Sequence, residues 1–284
     1  MAQNGKPLLI EDVSKDPRFS SSIADDKSGF KTRSILCVPM IMHDEVIGVM
    51  EVLNKKESAP GGKFTSDDTD ILGSLSGFAA VSIANSKLNS DQKNFFANII
   101  EILIASIETR SKNSPGHCWR VAQTACAIAR RLKVGGQPYK NIYYAALLHD
   151  IGYVGAQKQM MEKKGFVSHE RIELVHPVTG AEMVSTIHLL EDCAPLIRAH
   201  HEYWDGTGFP DGLQGESIPL GARIISFAEA MEDLRDSLAD EDLERSVMRT
   251  RLEQYASENI DKIFAPQIVA AYLVEVSPAM GAPG

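Results

Sequence analysis

HHEYWDGTGFPDGLQGESIPLGARIISFAEAMEDL, residues 200–234, opens on two adjacent histidines, turns through a glycine- and proline-bearing segment, and runs into an apolar helix carrying Glu229. His200 and His201 follow Ile197 by three and four residues, the helical spacing that sends both rings to the inward face. Toward the N-terminus stand His176 and then His149-Asp150, at the end of the helical phrase NIYYAALLHDIG, with His149 at helical spacing from Ile142 and Ala145. His117 opens a further helix whose inner stripe is Val121, Ala125, Ile128 and Leu132. His43, His169 and His188 lie in a turn or on mixed stretches and receive no role.

Several imidazoles and a carboxylate directed into one helical core each cost about 1–3 kcal/mol if left without a partner. A shared metal removes that cost. Imidazoles and carboxylates without a thiolate favour iron, manganese or zinc over magnesium. Such an ion can also turn a bound water into hydroxide near neutral pH.

The order His, His-Asp, His, His-His, followed by the long phrase above, resembles the HD-GYP family of cyclic-di-GMP phosphodiesterases within the HD superfamily. Its Gly-Tyr-Pro element reads here Gly208-Phe209-Pro210. The resemblance implies a first ion on His117, His149, Asp150 and Glu229, and a second on His176, His200, His201 and the bridging Asp150. It implies iron or manganese, with Asp150 orienting the hydroxide that attacks phosphorus. Some members hold a third ion through a Glu at the position of Asn113, so two are expected here.

Several positions depart from the family pattern. Tyr153 replaces the lysine that follows His-Asp-Ile-Gly, and Leu238 and Glu241 replace two basic residues after the last carboxylate. Glu229 stands where most members carry Asp. Tyr153, Gly208 and Phe209 are taken as substrate-binding candidates, and Phe209 keeps a ring able to stack on guanine. The function expected is therefore a divergent metal-dependent phosphodiesterase with low or altered activity, acting on cyclic-di-GMP or a related small nucleotide. The alternative is a degenerate, non-hydrolytic metal- and nucleotide-binding module that signals through a protein partner.

Upstream, apolar runs from Ser34 to Met42 and Val46 to Leu53 flank the turn His43-Asp44-Glu45, which predicts a hairpin. A loop at 57–62 precedes Phe64-Thr65-Ser66-Asp67-Asp68, a helix start whose helix is expected to reach about Leu88. These phrases resemble the C-terminal half of a GAF domain. From Asp91 to Arg110, Phe95, Ile99, Ile102, Leu103 and Ile107 form one apolar stripe, read as a core helix or as a signalling helix that pairs in a homodimer. Beyond it, helices are predicted at 117–133, 139–151, 169–175, 177–190, 194–203, 220–238, 241–260 and 265–276. The fold class is thus multidomain, α/β followed by all-α: a partial GAF-like regulatory domain at 1–90, a linker helix at 91–110, a helical HD-GYP domain at 111–276 and a mobile tail at 277–284.

Hydrophobic residues make up 44% of the 284 and charged residues 24%, an ordinary globular balance. The net charge of −9 argues against duplex nucleic acid as a partner. No run approaches about 18 apolar residues and the start MAQNGKPLLIED lacks a signal-peptide pattern, so a cytoplasmic protein without membrane contact is expected. Cys37, Cys118, Cys126 and Cys193 are scattered without metal-binding spacing.

Overall fold

The computed structural model describes residues 5–17, 31–56, 62–109, 114–155, 169–241 and 243–279. The chain divides into two compact units, Met1–Ala97 and Asn98–Gly284.

The first unit carries a three-stranded antiparallel sheet in the order β1 (Leu8–Ile10), β2 (Ile35–Met42), β3 (Glu45–Leu53). Strand alternation sorts β2 onto two small cores. Leu36 and Val38 pack with Phe64 and Leu72, whereas Ile35 and Cys37 pack with Ile10 and Val13. The hairpin turn is the two residues His43-Asp44, both with positive φ (47° and 64°), which matches the twist of the flanking strands. Glu45, expected in the turn, is already paired with Met42.

Helix α1 spans Ser66–Glu108, 43 residues without interruption. The helix expected to end near Leu88 and the one expected from Asp91 are one element, because Asn89-Ser90-Asp91 contains neither proline nor glycine to stop it. At its start Thr65 and Asp68 cap each other reciprocally: the Thr65 amide donates to Asp68 Oδ2 at 2.7 Å and the Asp68 amide to Thr65 Oγ1 at 3.4 Å.

The second unit is helical: α2 (His117–Arg131), α3 (Gly136–Leu148), α4 (His169–Ser185), α5 (Ala194–Arg198), α6 (Leu220–Ser237), α7 (Arg245–Glu258) and α8 (Pro266–Ala279). Its central helix is α6, buried on nearly every side from Gly221 to Met231, with Phe227 meeting Phe264 edge-on at 4.9 Å. Two expectations are corrected. The helices predicted on either side of His176 are a single α4 that runs through Pro177, since one lost backbone bond does not outweigh the packing of its flanks. The helix predicted at 194–203 ends at Arg198, where Ala199 leaves helical geometry and the chain turns through His200 and His201. Asn113 and residues 280–284 of the expected tail lie outside the described residues, and α8 continues to Ala279. Among the described residues no helix is long and apolar enough to cross a membrane.

Candidate metal centre

Two sets of three side chains bring their ligand atoms within 4.8 Å of one another: His149, Asp150 and Glu229, and His176, His200 and His201. Asp150 touches both. Its Oδ2 lies 3.5 Å from His149 Nε2 and its Oδ1 lies 3.5 Å from His176 Nε2. Glu229 Oε1 is 3.9 Å from Nε2 of both His149 and His201, so the longer side chain reaches the gap between the sets.

The imidazoles are aimed by the backbone. His149 Nδ1 faces the Ala146 carbonyl at 2.8 Å, His176 Nδ1 faces Glu173 O at 2.7 Å, and His200 Nδ1 faces Ile197 O at 2.5 Å, each three residues back. A ring nitrogen facing a carbonyl carries the proton, which leaves Nε2 bare. For His149 and His200 the accepting carbonyls belong to the last turns of α3 and α5, where helix carbonyls lack amide donors. His176 sits inside a helix, and there the next residue does the same work. Pro177 has no N–H, so the Glu173 carbonyl that it would have engaged four residues back is free for the imidazole.

Glycines close the frame. A Cβ on Gly152 would lie 1.9 Å from the His176 carbonyl oxygen, and one on Gly208 would lie 2.4 Å from that of His201, so neither place admits a side chain. Glu202, 1% exposed, accepts from the amides of Asp211 and Leu213 at 2.6 and 2.9 Å and thereby ties the glycine-rich loop beneath the two histidines.

The donor set fits divalent metal. His176 Nε2 and His200 Nε2 stand 3.2 Å apart with both Nδ1 protons engaged elsewhere, so two lone pairs face each other and only a cation reconciles them. Burial holds both rings below the ordinary histidine pKa, which disfavours a proton as that cation. The Nε2 atoms of His149 and His201 are buried without a hydrogen-bond partner. Burial and the neighbouring Asp150 push the Glu229 carboxyl well above its usual range, a strain that a bound cation relieves.

His117 stands apart. Its ring is 5.7 Å from that of His149, it belongs to neither three-residue set, and both its nitrogens are buried without a hydrogen-bond partner. As the first residue of α2 it lacks the backbone acceptor used by the others, because its own amide takes the Ser114 carbonyl. Its Nδ1 instead looks toward Asp233 and Asp236 at 3.8 and 3.7 Å. Burial lowers its pKa to about 4, and raises that of Asp233 to about 6. The two aspartates were not singled out from sequence, although they follow Glu229 by four and seven residues and so share its helix face.

The substrate-binding candidates lie against the histidines. Tyr153 stacks on His176 with ring centroids 4.3 Å apart, and its hydroxyl donates to Glu173 at 2.7 Å. Phe209 stacks on His201 at 4.9 Å. A cavity of about 370 Å³ opens beside His201 and Glu229 and is lined also by Tyr203, Asp233 and Tyr255. Two arginines of the neighbouring helices are engaged by carboxylates: Arg120 holds Asp236 at 2.8 Å and Arg235 holds Glu232 at 2.9 Å. Leu238 is buried, and Glu241 lies 3.8 Å from Arg251. Asp205 accepts hydrogen bonds from the amide and hydroxyl of Thr207.

Replacing Pro177 with alanine restores an amide that competes for Glu173 O. The variant is expected to fold and to bind manganese about tenfold more weakly, as losses of ligand-orienting bonds do, with competition against a chelating dye as the measurement. Unchanged affinity would remove the proline from the account of the site.

Comparison with known proteins places these features in context. An HD domain profile matches residues 96–262 and a GAF domain profile matches residues 1–83. A cyclic di-GMP phosphodiesterase of Thermotoga maritima is 28% identical over 191 residues, covering 65% of this chain and 50% of that protein. A 3′3′-cGAMP-specific phosphodiesterase of Vibrio cholerae is 31% identical over 168 residues, covering 58% and 36%. The chain thus spans half the length, or less, of these curated relatives. A crystallised cyclic GMP-AMP specific phosphodiesterase of V. cholerae superposes with a TM-score of 0.52 at 19% identity, over 64% of this chain and 49% of that one, which shows a shared fold.

Proposed function

The chain belongs to the HD-domain family, and from that premise we propose that it is a metal-dependent phosphodiesterase that cleaves cyclic-di-GMP or a related cyclic dinucleotide. One observation carries the reading: three imidazoles converge in one set and His149 meets two carboxylates in the other, with Asp150 turning one oxygen to His149 and the other to His176.

Two divalent ions bound there would supply an activated water and neutralise charge on the phosphate under attack. His149, Asp150 and Glu229 would hold one ion and His176, His200, His201 and Asp150 the other; His117 would join the first set by a shift of its ring toward it. Iron or manganese suits these neutral imidazoles and carboxylates in the absence of thiolate. The residues themselves orient and enclose. The backbone carbonyls fix the ring planes, Glu202 holds the loop that carries Gly208 and Phe209, and the half-buried rings of Tyr153 and Phe209 offer apolar faces to a base. The cavity lining holds the carboxylates of Glu229 and Asp233 and no cationic side chain among the described residues, so charge neutralisation of a phosphate there would fall to the metals. The N-terminal 1–90 would act as a regulatory domain, 91–110 as a linker and 111–276 as the catalytic domain of a cytoplasmic protein.

A second reading has its own support. With Arg120 and Arg235 engaged by carboxylates and Tyr153 in place of a lysine, these three positions offer no free cation to a dinucleotide among the described residues, as in a non-hydrolytic module acting through a protein partner. Loading the chain anaerobically with iron(II) or manganese(II), counting metals, and assaying cyclic-di-GMP, 3′3′-cGAMP and the linear dinucleotide side by side separates the two. Two metals per chain with turnover of a cyclic dinucleotide is the expected result. Two metals with none cleaved would favour the second reading, and no metal would overturn the ligand assignment.

A further inference from the structure

Helix α1 exposes far more apolar surface than a helix covered by its own chain. Val81, Leu88, Phe95 and Ile102 recur every seven residues, and Ile71, Phe78 and Ile99 fall at the complementary positions three residues before a member of that series or its continuation at Ser74. All seven are exposed, from 38% for Ile99 to 76% for Phe78. This is the a/d pattern of a coiled coil, with the first series at d and the second at a. The helix meets its own chain elsewhere: Leu72, Ser76 and Ala80 are buried in the first unit, and Ile100, Ile104 and Ile107 in the second. Four charged residues lie between 71 and 102, namely Lys87, Asp91, Lys93 and Glu101, and none occupies an a or d position.

We propose that a second copy of this chain covers the stripe, through a parallel, in-register pairing of α1 from Ile71 to Ile102. The area suffices. The seven exposed side chains leave on the order of 850 Å² open per copy, about 1,700 Å² for a pair if fully covered, within the roughly 1,200–2,000 Å² of stable interfaces. The direction follows from the two remaining a positions, Asn85 and Gln92. In parallel register each amide meets its own twin across the seam and hydrogen-bonds to it, and apolar residues meet apolar ones. An antiparallel pair sets a against d, which places Asn85 and Gln92 opposite Leu88 and Val81 when the full stripe overlaps and leaves both amides buried without partners. The same two layers penalise a slip by one heptad, because Asn85 would then meet Phe78 or Gln92 would meet Ile99.

Light scattering on the full chain is expected to give twice 31.1 kDa at micromolar concentration. Phe78→Glu combined with Phe95→Glu puts charge into the seam, and is expected to raise the dimer dissociation constant at least a hundredfold without loss of helical circular dichroism, since both rings are exposed. A separate Phe95→Cys variant keeps the seam apolar and tests direction, because all four native cysteines are buried. Mild oxidation is expected to link residue 95 to its twin. In the antiparallel pair those two positions lie about 25 Å apart at 1.5 Å per residue, and no link forms. A parent chain that stays monomeric, a double-Glu variant that stays dimeric, or a dimeric Cys variant without the link would each overturn the proposal.

Discussion

Asp150→Asn is expected to leave the helical unit folded and to lower bound metal from two ions per chain to one or none, with loss of cyclic-dinucleotide cleavage by about a thousandfold or more. The magnitude follows from position. Asp150 is 3% exposed and presents one oxygen to each set of ligands, so the amide removes a negative charge from both at once and offers each at most a neutral oxygen or an NH₂. Glu229 reaches toward both sets as well but lies farther from each, at 3.9 Å against 3.5 Å, so Glu229→Gln is expected to retain more metal than Asp150→Asn. Metal counting by mass spectrometry on protein freed of excess ions reads both variants. An Asp150→Asn protein that still carried two ions with wild-type affinity would end the bridging role.

Tyr153→Lys is expected to tighten cyclic-di-GMP binding by between about ten- and a hundredfold, because a hydrogen bond to a charged group is worth about 1.5–3 kcal/mol. The residue stands beside His176, and the variant places an ammonium next to the centre where the family pattern has one. Glu173 opposes the gain. It now accepts the tyrosine hydroxyl at 2.7 Å and would capture the new ammonium in the same way. The double variant with Glu173→Gln therefore separates the effects: binding by calorimetry should improve further when the competing carboxylate is neutralised. If neither variant binds more tightly than the parent, the missing lysine is not what limits affinity. No comparable repair is available at Leu238, whose side chain is buried and would carry a charge into the core.

The convergence of the histidines was legible because inward-facing rings must share something, and helical spacing from Ile142 gave the direction of His149. His200 and His201 converge through the turn after Arg198 instead of the helix expected there. The hairpin was legible from its alternation. What escaped was set by packing or by absence. Nothing in Asn89-Ser90-Asp91 forces an end, yet a polar interval resembles one, so one helix was read as two. Pro177 resembled a terminator, and its effect became visible only once the Glu173 carbonyl was found facing His176. The family resemblance grouped His117 with His149, and at the start of a helix His117 lacks the backbone acceptor that aims the others. The exposed stripe of α1 was only half seen, because its members from Ile71 to Leu88 read equally well as the inner face of a domain helix until their exposure was known.

Anchoring three imidazoles on unpaired helix carbonyls bears on how readily the centre gives up its ions. The carbonyls that aim His149 and His200 belong to the ends of α3 and α5, and helix ends open locally far more often than a domain unfolds. His176 draws on a carbonyl inside α4, where opening is rarer. An ion bound there would be released as the two helix termini fray, with His176 holding longest, and its exchange is expected to be faster than unfolding of the helical unit.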